Sequence, residues 1–178
     1  MSSFLSELEP SGTPVVSFKH IPFNVKIQYP FKSPKQILLL AGGTGITPMI
    51  QALHALLGEE TSSRNTEKVT LLYGSRTADD ILGEDMLNHW AATHKDMFSV
   101  THVLSNEEGD MSQRSDVTTG FINRELIEKN FPGPDENVMI FVCGPPPMYN
   151  ALCGPRDQSE LSGMLAEMGY NSEQVFKF

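Results

Sequence analysis

Cysteine is scarce in this sequence of 178 residues, which contains only Cys143 and Cys153. Two cysteines cannot build the disulfide framework typical of small secreted domains, and their spacing matches no zinc-binding pattern. The five histidines are scattered, and none stands at metal-ligand spacing from a cysteine or a carboxylate. We therefore expect no metal, and a location in the cytosol or on the cytosolic face of a membrane.

Basic residues and long hydrophobic segments are also few. Thirteen Lys and Arg residues against twenty-two Asp and Glu residues give a formal net charge of −9. Such a chain repels phosphate backbones, which argues against nucleic-acid binding, although backbone amides can still bind a single nucleotide. The longest apolar run, residues 37–41, is far shorter than the roughly 20 residues that a transmembrane helix needs. No membrane-spanning segment is expected.

Short apolar runs alternate with amphipathic stretches from residue 36 onwards, a pattern typical of a parallel sheet with crossover helices. The five predicted strands are residues 36–41, 69–74, 98–104, 138–143 and the terminal VFKF. The predicted helices are residues 48–57, 83–92, 123–130 and two short ones that start at Met148 and Gln158. Residues 36–178 thus predict an α/β fold with an open, mostly parallel five-stranded sheet and helices on both faces.

The first 35 residues differ from the rest, because they alternate as strands do and show no helical period. We expect residues 1–35 to be the β-rich end of another domain. This segment is locally basic through four lysines, Lys19, Lys26, Lys32 and Lys35. Two interpretations stay open. The arm docks an acidic electron-transfer protein by charge, or the lysines simply solvate an exposed arm.

The stretch ILLLAGGTGITPM places Gly42, Gly43 and Gly45 after the first predicted strand. Glycine permits positive φ and close approach of a ligand at such a turn. Thr47 is expected to cap the next helix with its hydroxyl, and Pro48 to occupy the first helical position, where its missing N–H costs nothing. Free amides and the helix dipole would then face a pyrophosphate. An ordinary tight turn is the alternative.

A second loop, CGPPPMY, follows the predicted strand at residues 138–143, and its three prolines make it stiff. Ligands of open parallel sheets bind at the carboxyl ends of the strands. Two rigid loops that face one crevice would hold a dinucleotide, one at the pyrophosphate and the other at a ring.

The motifs GGTGITPM and CGPPPM, with LLYGSRTADDIL between them and VFKF at the end, resemble the pyridine-nucleotide domain of NADH-cytochrome b5 reductases, in the ferredoxin reductase superfamily. The resemblance covers nearly the whole chain. It implies an oxidoreductase that passes hydride from NADH to FAD and then single electrons to a haem acceptor such as cytochrome b5. Residues 1–35 would be the C-terminal remnant of the family's FAD-binding β-barrel, and residues 36–178 the NAD(P)H-binding domain.

The resemblance also assigns individual residues. The NADH pyrophosphate would be received by Gly43, Thr44, Gly45, Thr47 and Pro48. The nicotinamide would be bordered by Cys143, Gly144, Pro145, Pro146 and Met148. The adenine half would be flanked by Tyr73, Gly120 and Phe121, and the flavin approached by Phe178, although packing alone also explains these four. Cys143 and Thr47 are the candidate catalytic residues, with Cys143 positioning the nicotinamide rather than acting as a nucleophile.

Cofactor preference is predicted from Ser105, which stands where NADH-specific reductases commonly have an Asp that reads the adenosine ribose. No arginine follows it, and Glu107 and Glu108 would repel a 2′-phosphate, so NADH is favoured over NADPH.

The family's RxYS flavin motif is absent from the sequence. Two explanations remain, a fragment of a flavoprotein reductase or a reduced module that works with another chain, and in both the chain alone should hold FAD poorly. A nucleotide-binding or partner module without catalysis is the alternative function.

Overall fold

A computed structural model describes residues 34–58, 66–135 and 137–178. Its strands are β1 (Gln36–Gly42), β2 (Lys68–Ser75), β3 (Phe98–Leu104), β4 (Val117–Thr119), β5 (Val138–Cys143) and β6 (Val175–Lys177). Its helices are α1 (Ile46–Leu57), α2 (Glu84–Thr93), α3 (Arg124–Asn130), α4 (Pro146–Leu152) and α5 (Gly163–Glu167). Among the described residues no helix is both long and apolar enough to cross a membrane.

The six strands form one parallel sheet in the order β4-β3-β2-β1-β5-β6. The chain builds outward from β1 to β4 and then returns to place β5 on the other side of β1. β1 and β5 are neighbours in the sheet, and the loops that follow them lead in opposite directions. Such a point is called a topological switch point, and ligands of open parallel sheets bind there.

The sheet separates two hydrophobic layers, and β1 supplies both because its residues alternate between the faces. Ile37, Leu39 and Ala41 pack with α1 and α2, whereas Leu38 and Leu40 pack with α3, α4 and α5. All five side chains are fully buried. A strand covered on both faces explains why this segment is an unbroken apolar run.

The predicted α/β class, the parallel sheet and the helices on both faces are confirmed, but the strand count is wrong by one. The missed strand, β4, has only three residues and pairs with β3 at the sheet edge, where His102 lies opposite Val117. An edge strand of this length, after a polar loop, carries too little apolar periodicity to be recognised.

The start of α1 also differs from its prediction. The helix begins at Ile46, directly after a 3₁₀ turn over Gly43–Gly45, so Pro48 is its third residue and not its first. Thr47 does not cap the helix. Its hydroxyl instead donates to the Thr44 carbonyl at 2.9 Å. In a regular helix this carbonyl would accept a hydrogen bond from the backbone N–H of residue 48, but Pro48 has none. The Thr47 hydroxyl donates to the carbonyl instead.

The predicted β-rich segment, residues 1–35, lies outside the described residues except for its last two positions. Its assignment as the end of a flavin barrel and the docking role of its lysines therefore stay predictions.

Candidate functional site

A cleft of about 690 Å³ opens at the carboxyl ends of β1 and β5. Its volume lies within the range of small-molecule and cofactor sites. One wall is the glycine loop, residues 42–45, and the other is the proline loop, residues 143–148, of which all but Pro146 line the cleft. The structure thus brings together two motifs that are about a hundred residues apart in the sequence.

The glycine loop offers open space on its cleft side at Gly43. This residue has φ +54°, in the left-handed region that favours glycine, and a β-carbon built on it would meet no atom within 4 Å. The Tyr73 hydroxyl holds the loop from the core, donating to the Gly43 carbonyl at 3.1 Å and accepting from the Leu82 amide at 3.3 Å. The loop is therefore fixed on its buried side and exposed on its cleft side.

Gly45 serves a different purpose from Gly43. A β-carbon on Gly45 would overlap the Cys143 carbonyl and lie 2.9 Å from the Gly144 amide nitrogen. The glycine loop and the proline loop touch through their backbones at this point. Gly45 is thus required for the packing of the two loops against each other, before any ligand is considered.

The proline loop places one accessible thiol at the cleft. Cys143 is half-buried at the end of β5, whereas Cys153 is fully buried, and burial raises the pKa of the Cys153 thiol to about 11. The Tyr149 hydroxyl donates to the main-chain oxygen of Phe178 at 2.7 Å. Burial first, and then the neighbouring Cys143, raises the pKa of Tyr149, so this phenol stays neutral.

The far end of the cleft is formed by Ser105, Gly120 and Phe121, beyond the ends of β3 and β4. Ser105 lines the cleft, and its backbone amide donates to the Ser75 carbonyl at 3.0 Å. Gly120 has φ +106° with open space above it. Phe121 is 77 % exposed, the most exposed large apolar side chain among the described residues.

Residues predicted from the resemblance fall into two groups. The cleft is lined by Gly43, Thr44, Gly45, Ser105, Gly120 and Phe121, and by Cys143, Gly144, Pro145 and Met148 of the second loop. The residues that do not line it are Thr47, Pro48, Tyr73, Pro146 and Phe178. Tyr73 is fully buried and supports the glycine loop, and Phe178 packs its ring against Phe141 and Phe176.

Two residues that the sequence interpretation missed are Arg76 and Arg156, which are the only charged residues among those described as lining the cleft. Both are exposed, and no described carboxylate lies within 4.0 Å of either guanidinium. The cleft is therefore a locally positive region on a chain with a net charge of −9. Its electrostatics favour an anionic ligand.

The structure does not bring to the cleft the two glutamates after Ser105 on which the preference for NADH is based. Neither Glu107 nor Glu108 lines the cleft. Glu107 accepts hydrogen bonds from the backbone amides of Ala78 and Gly109, at 2.8 and 2.9 Å, and these bonds lower the pKa of its carboxyl. An arginine is present in the cleft near Ser105 after all, because Arg76 enters from the end of β2.

A separate polar cluster lies under α2, where ligand atoms of Glu84, His102 and Asp116 come within 4.8 Å of one another. Arg114 bridges the two carboxylates, donating to Glu84 and to Asp116, the latter at 2.6 Å. His102 is fully buried, its two ring nitrogens have no hydrogen-bond partner among the described residues, and burial lowers its pKa. Because the Arg114 guanidinium already supplies the positive charge between the carboxylates, we assign no metal to this cluster.

Comparison with known proteins gives consistent matches. The family model of the oxidoreductase NAD-binding domain matches residues 39–154. NADH-cytochrome b5 reductase 2 of Scheffersomyces stipitis is 42% identical over 182 residues, covering 100% of this chain and 57% of the relative. The chain therefore spans little more than half the length of this curated relative.

Two solved structures are also similar. The cytochrome b5 reductase domain of Ulva prolifera nitrate reductase has a TM-score of 0.67 and 29% identity, over 82% of this chain and 50% of that chain. The CS-b5R domains of human Ncb5or, in an NAD+ form, have a TM-score of 0.63 and 26% identity, over 80% of this chain and 36% of that chain.

Proposed function

The chain belongs to the oxidoreductase NAD-binding domain family, and we propose that it is the NADH-binding part of a flavin-dependent reductase of the cytochrome b5 reductase type. The observation that carries this proposal is the cleft in which the glycine loop and the proline loop meet. NADH is proposed over NADPH because the curated relative is named as an NADH enzyme.

The NADH pyrophosphate is proposed to lie over the glycine loop. Gly43 leaves open space there, and the amides at the start of α1, a helix of 12 residues, present partial positive charge to it. Thr47 stays outside the cleft and supports the turn through the Thr44 carbonyl, so we infer that it positions the loop and does not touch the cofactor.

The adenosine half is proposed to extend towards Ser105, Gly120 and Phe121. The exposed ring of Phe121 offers a flat apolar surface on which adenine can stack. Ser105 offers a hydroxyl that can hydrogen-bond the adenosine ribose. In this proposal the adenosine lies beyond the ends of β3 and β4, and the opposite half of NADH lies beyond the end of β5.

The nicotinamide half is proposed to rest against the proline loop, beside Cys143, Gly144 and Met148. Cys143 is the one described thiol that is accessible from the cleft, and we infer that it positions the nicotinamide ring. No described histidine lines the cleft to act as a base for this thiol, which speaks against a nucleophilic role.

Hydride transfer to FAD, followed by single-electron transfer to a haem acceptor such as cytochrome b5, is proposed for the complete protein. FAD would supply the conversion from two-electron to one-electron chemistry, and this chain would bind and orient NADH for it. The scarcity of cysteine supports a cytosolic location or the cytosolic face of a membrane. A binding module without catalysis is the competing function, because the chain spans 57% of its curated relative.

Calorimetric titration of the full chain with NADH, with and without FAD, tests both functions. NADH binding is expected in both arms, and FAD-dependent oxidation of NADH, followed by the fall in absorbance at 340 nm, would favour the enzyme over the module. Absence of NADH binding would overturn the proposal.

A matched pair of variants locates the adenine. Phe121→Ala should weaken NADH binding by about 1–3 kcal/mol, roughly 5- to 150-fold, through lost stacking. Leu82→Ala removes another exposed apolar side chain, which is 48 % exposed and lies outside the cleft, and should leave the affinity unchanged. Equal affinities for the two variants would contradict the placement of adenine at Phe121.

A further inference from the structure

Arg156 occupies a position in the cleft that no sequence motif indicates. It follows α4, on the β5 side of the glycine loop, and lines the cleft together with Pro147, Ala151 and Leu152. Arg76 lines the same cleft from the end of β2. The two arginines therefore lie on opposite sides of the glycine loop, one near each proposed half of the dinucleotide.

The loop that carries Arg156 is held in place from β6. The Lys177 ammonium donates to three main-chain carbonyls of this loop, those of Pro155, Gln158 and Glu160, at 3.1, 3.0 and 3.1 Å. An ammonium has three donors, so all of them are used within this one loop. Lys177 itself is fixed by the sheet, since it pairs with Val142 of β5. The backbone on both sides of Arg156 is thus tied to the strand that ends in the proline loop.

The Arg156 guanidinium is left without a described anionic partner, although the chain carries 22 acidic residues. Burial raises the pKa of the Tyr149 hydroxyl, and the positive charge of Arg156 opposes this rise. A long cationic side chain on a fixed loop, beside a cleft whose described lining contains no carboxylate, is well suited to a phosphate, which arginine binds through paired N–H donors.

We propose that Arg156 forms an anion subsite for the phosphate on the nicotinamide side of the bound dinucleotide, and that Lys177 is the residue that positions it. This inference rests on the proposed NADH-binding function. Arg156 would supply a full positive charge to the phosphate in addition to the partial charges of the glycine-loop amides, on the side of the loop away from Arg76. The phosphate of a flavin nucleotide has the same chemistry, and the experiment separates the two sources.

Calorimetric titration of the full chain with NADH, ADP-ribose, AMP and FAD provides the test. Arg156→Gln should lower the affinity for NADH and ADP-ribose, which carry both phosphates, by about tenfold or more. The affinity for AMP should stay within twofold of the wild-type value. Arg76→Gln is the matched control, because it removes the other cleft charge from the adenosine side and should weaken AMP as well. Arg156 is exposed, so its variant should unfold at the wild-type temperature.

A double-mutant cycle tests the role of Lys177. Lys177→Met should lower the affinity for NADH in the wild-type background. It should have no further effect on this affinity in the Arg156→Gln background, because Lys177 acts only by positioning Arg156. A purely structural role would weaken binding equally in both backgrounds, and Lys177→Arg should restore part of the affinity. Equal losses in the two backgrounds would overturn the positioning role.

The outcomes are distinguishable from failure of the proposed function. Wild-type binding of NADH with unchanged affinity in Arg156→Gln would overturn the subsite alone. A loss in Arg156→Gln of the weak FAD binding expected of the wild-type chain, with NADH binding unaffected, would overturn it in favour of a flavin phosphate. Failure of the wild-type chain to bind NADH and ADP-ribose would overturn both the function and the subsite.

Discussion

Separate replacement of Gly43 and Gly45 by alanine distinguishes the two tasks of the glycine loop. At Gly43 the added methyl group meets nothing within 4 Å, and its cost comes only from φ +54°, about 1–2 kcal/mol for a residue with a β-carbon. At Gly45 the methyl group overlaps the backbone carbonyl of Cys143, which cannot rotate away as a side chain would. We expect that cost to reach about 3 kcal/mol, the upper end of the usual overpacking range.

The two variants should rank in the opposite order for NADH binding: Gly43→Ala, which loses less stability, should lose more affinity relative to that loss than Gly45→Ala. A methyl group on Gly43 occupies the open space over which the pyrophosphate is proposed to pass, so the variant should bind NADH at least tenfold more weakly while remaining folded. Urea unfolding gives the free energy of unfolding of each variant, and calorimetry at 25 °C gives the affinity for NADH. Wild-type affinity in Gly43→Ala would refute the placement of the pyrophosphate. Wild-type stability in Gly45→Ala would refute the contact between the loops.

Three further features of the structure can be tested by single experiments: a hydrogen-bonded tyrosine, a buried histidine and the exposure of the two thiols. Tyr73→Phe leaves the Gly43 carbonyl and the Leu82 amide without their shared partner and should lower the free energy of unfolding by about 1–3 kcal/mol in urea. Burial lowers the pKa of His102, so just below pH 6.5 the unfolded chain binds a proton that the folded chain does not. The free energy of unfolding should be steady above pH 6.5 and decrease between pH 6.5 and about 5, above the range in which carboxyls titrate. An equal decrease over this range in His102→Leu would contradict this cause. N-ethylmaleimide should modify Cys143 and spare the buried Cys153, as peptide mass spectrometry can show, and NADH should slow the reaction; equal labelling of both thiols would contradict their assigned exposures.

The sheet could be predicted from the sequence because its central strands are buried on both faces. Residues 37–41 form a continuous apolar run for this reason, and their strand ends where the glycines begin. The start of α1 could not be predicted in the same way. Sequence rules place Thr47 at the cap and Pro48 at the first position, but the 3₁₀ turn before them shifts the start of the helix to Ile46.

The two loops at the cleft could be predicted because glycine and proline report on the conformation of the backbone, and these loops border one cleft. An arginine carries no such information, because its direction depends on the path of the surrounding loop. Arg156 reaches the cleft through a loop whose position is set by Lys177, 21 residues later in the sequence. The Glu84, Arg114 and Asp116 network likewise joins segments that only the fold brings together.

The backbone contact between the glycine loop and the proline loop links the proposed sites of the pyrophosphate and the nicotinamide. The pyrophosphate would lie on one loop and the nicotinamide on the other, and the loops meet where Gly45 approaches the Cys143 carbonyl. Tyr73 fixes the first loop, and the hydrogen bonds of Lys177 fix the segment that follows the second. Because both loops are held before any ligand arrives, little binding energy is needed to order them. A change at Gly45 should therefore disturb the alignment of the nicotinamide as well as the affinity for phosphate, because an added side chain would push the two loops apart.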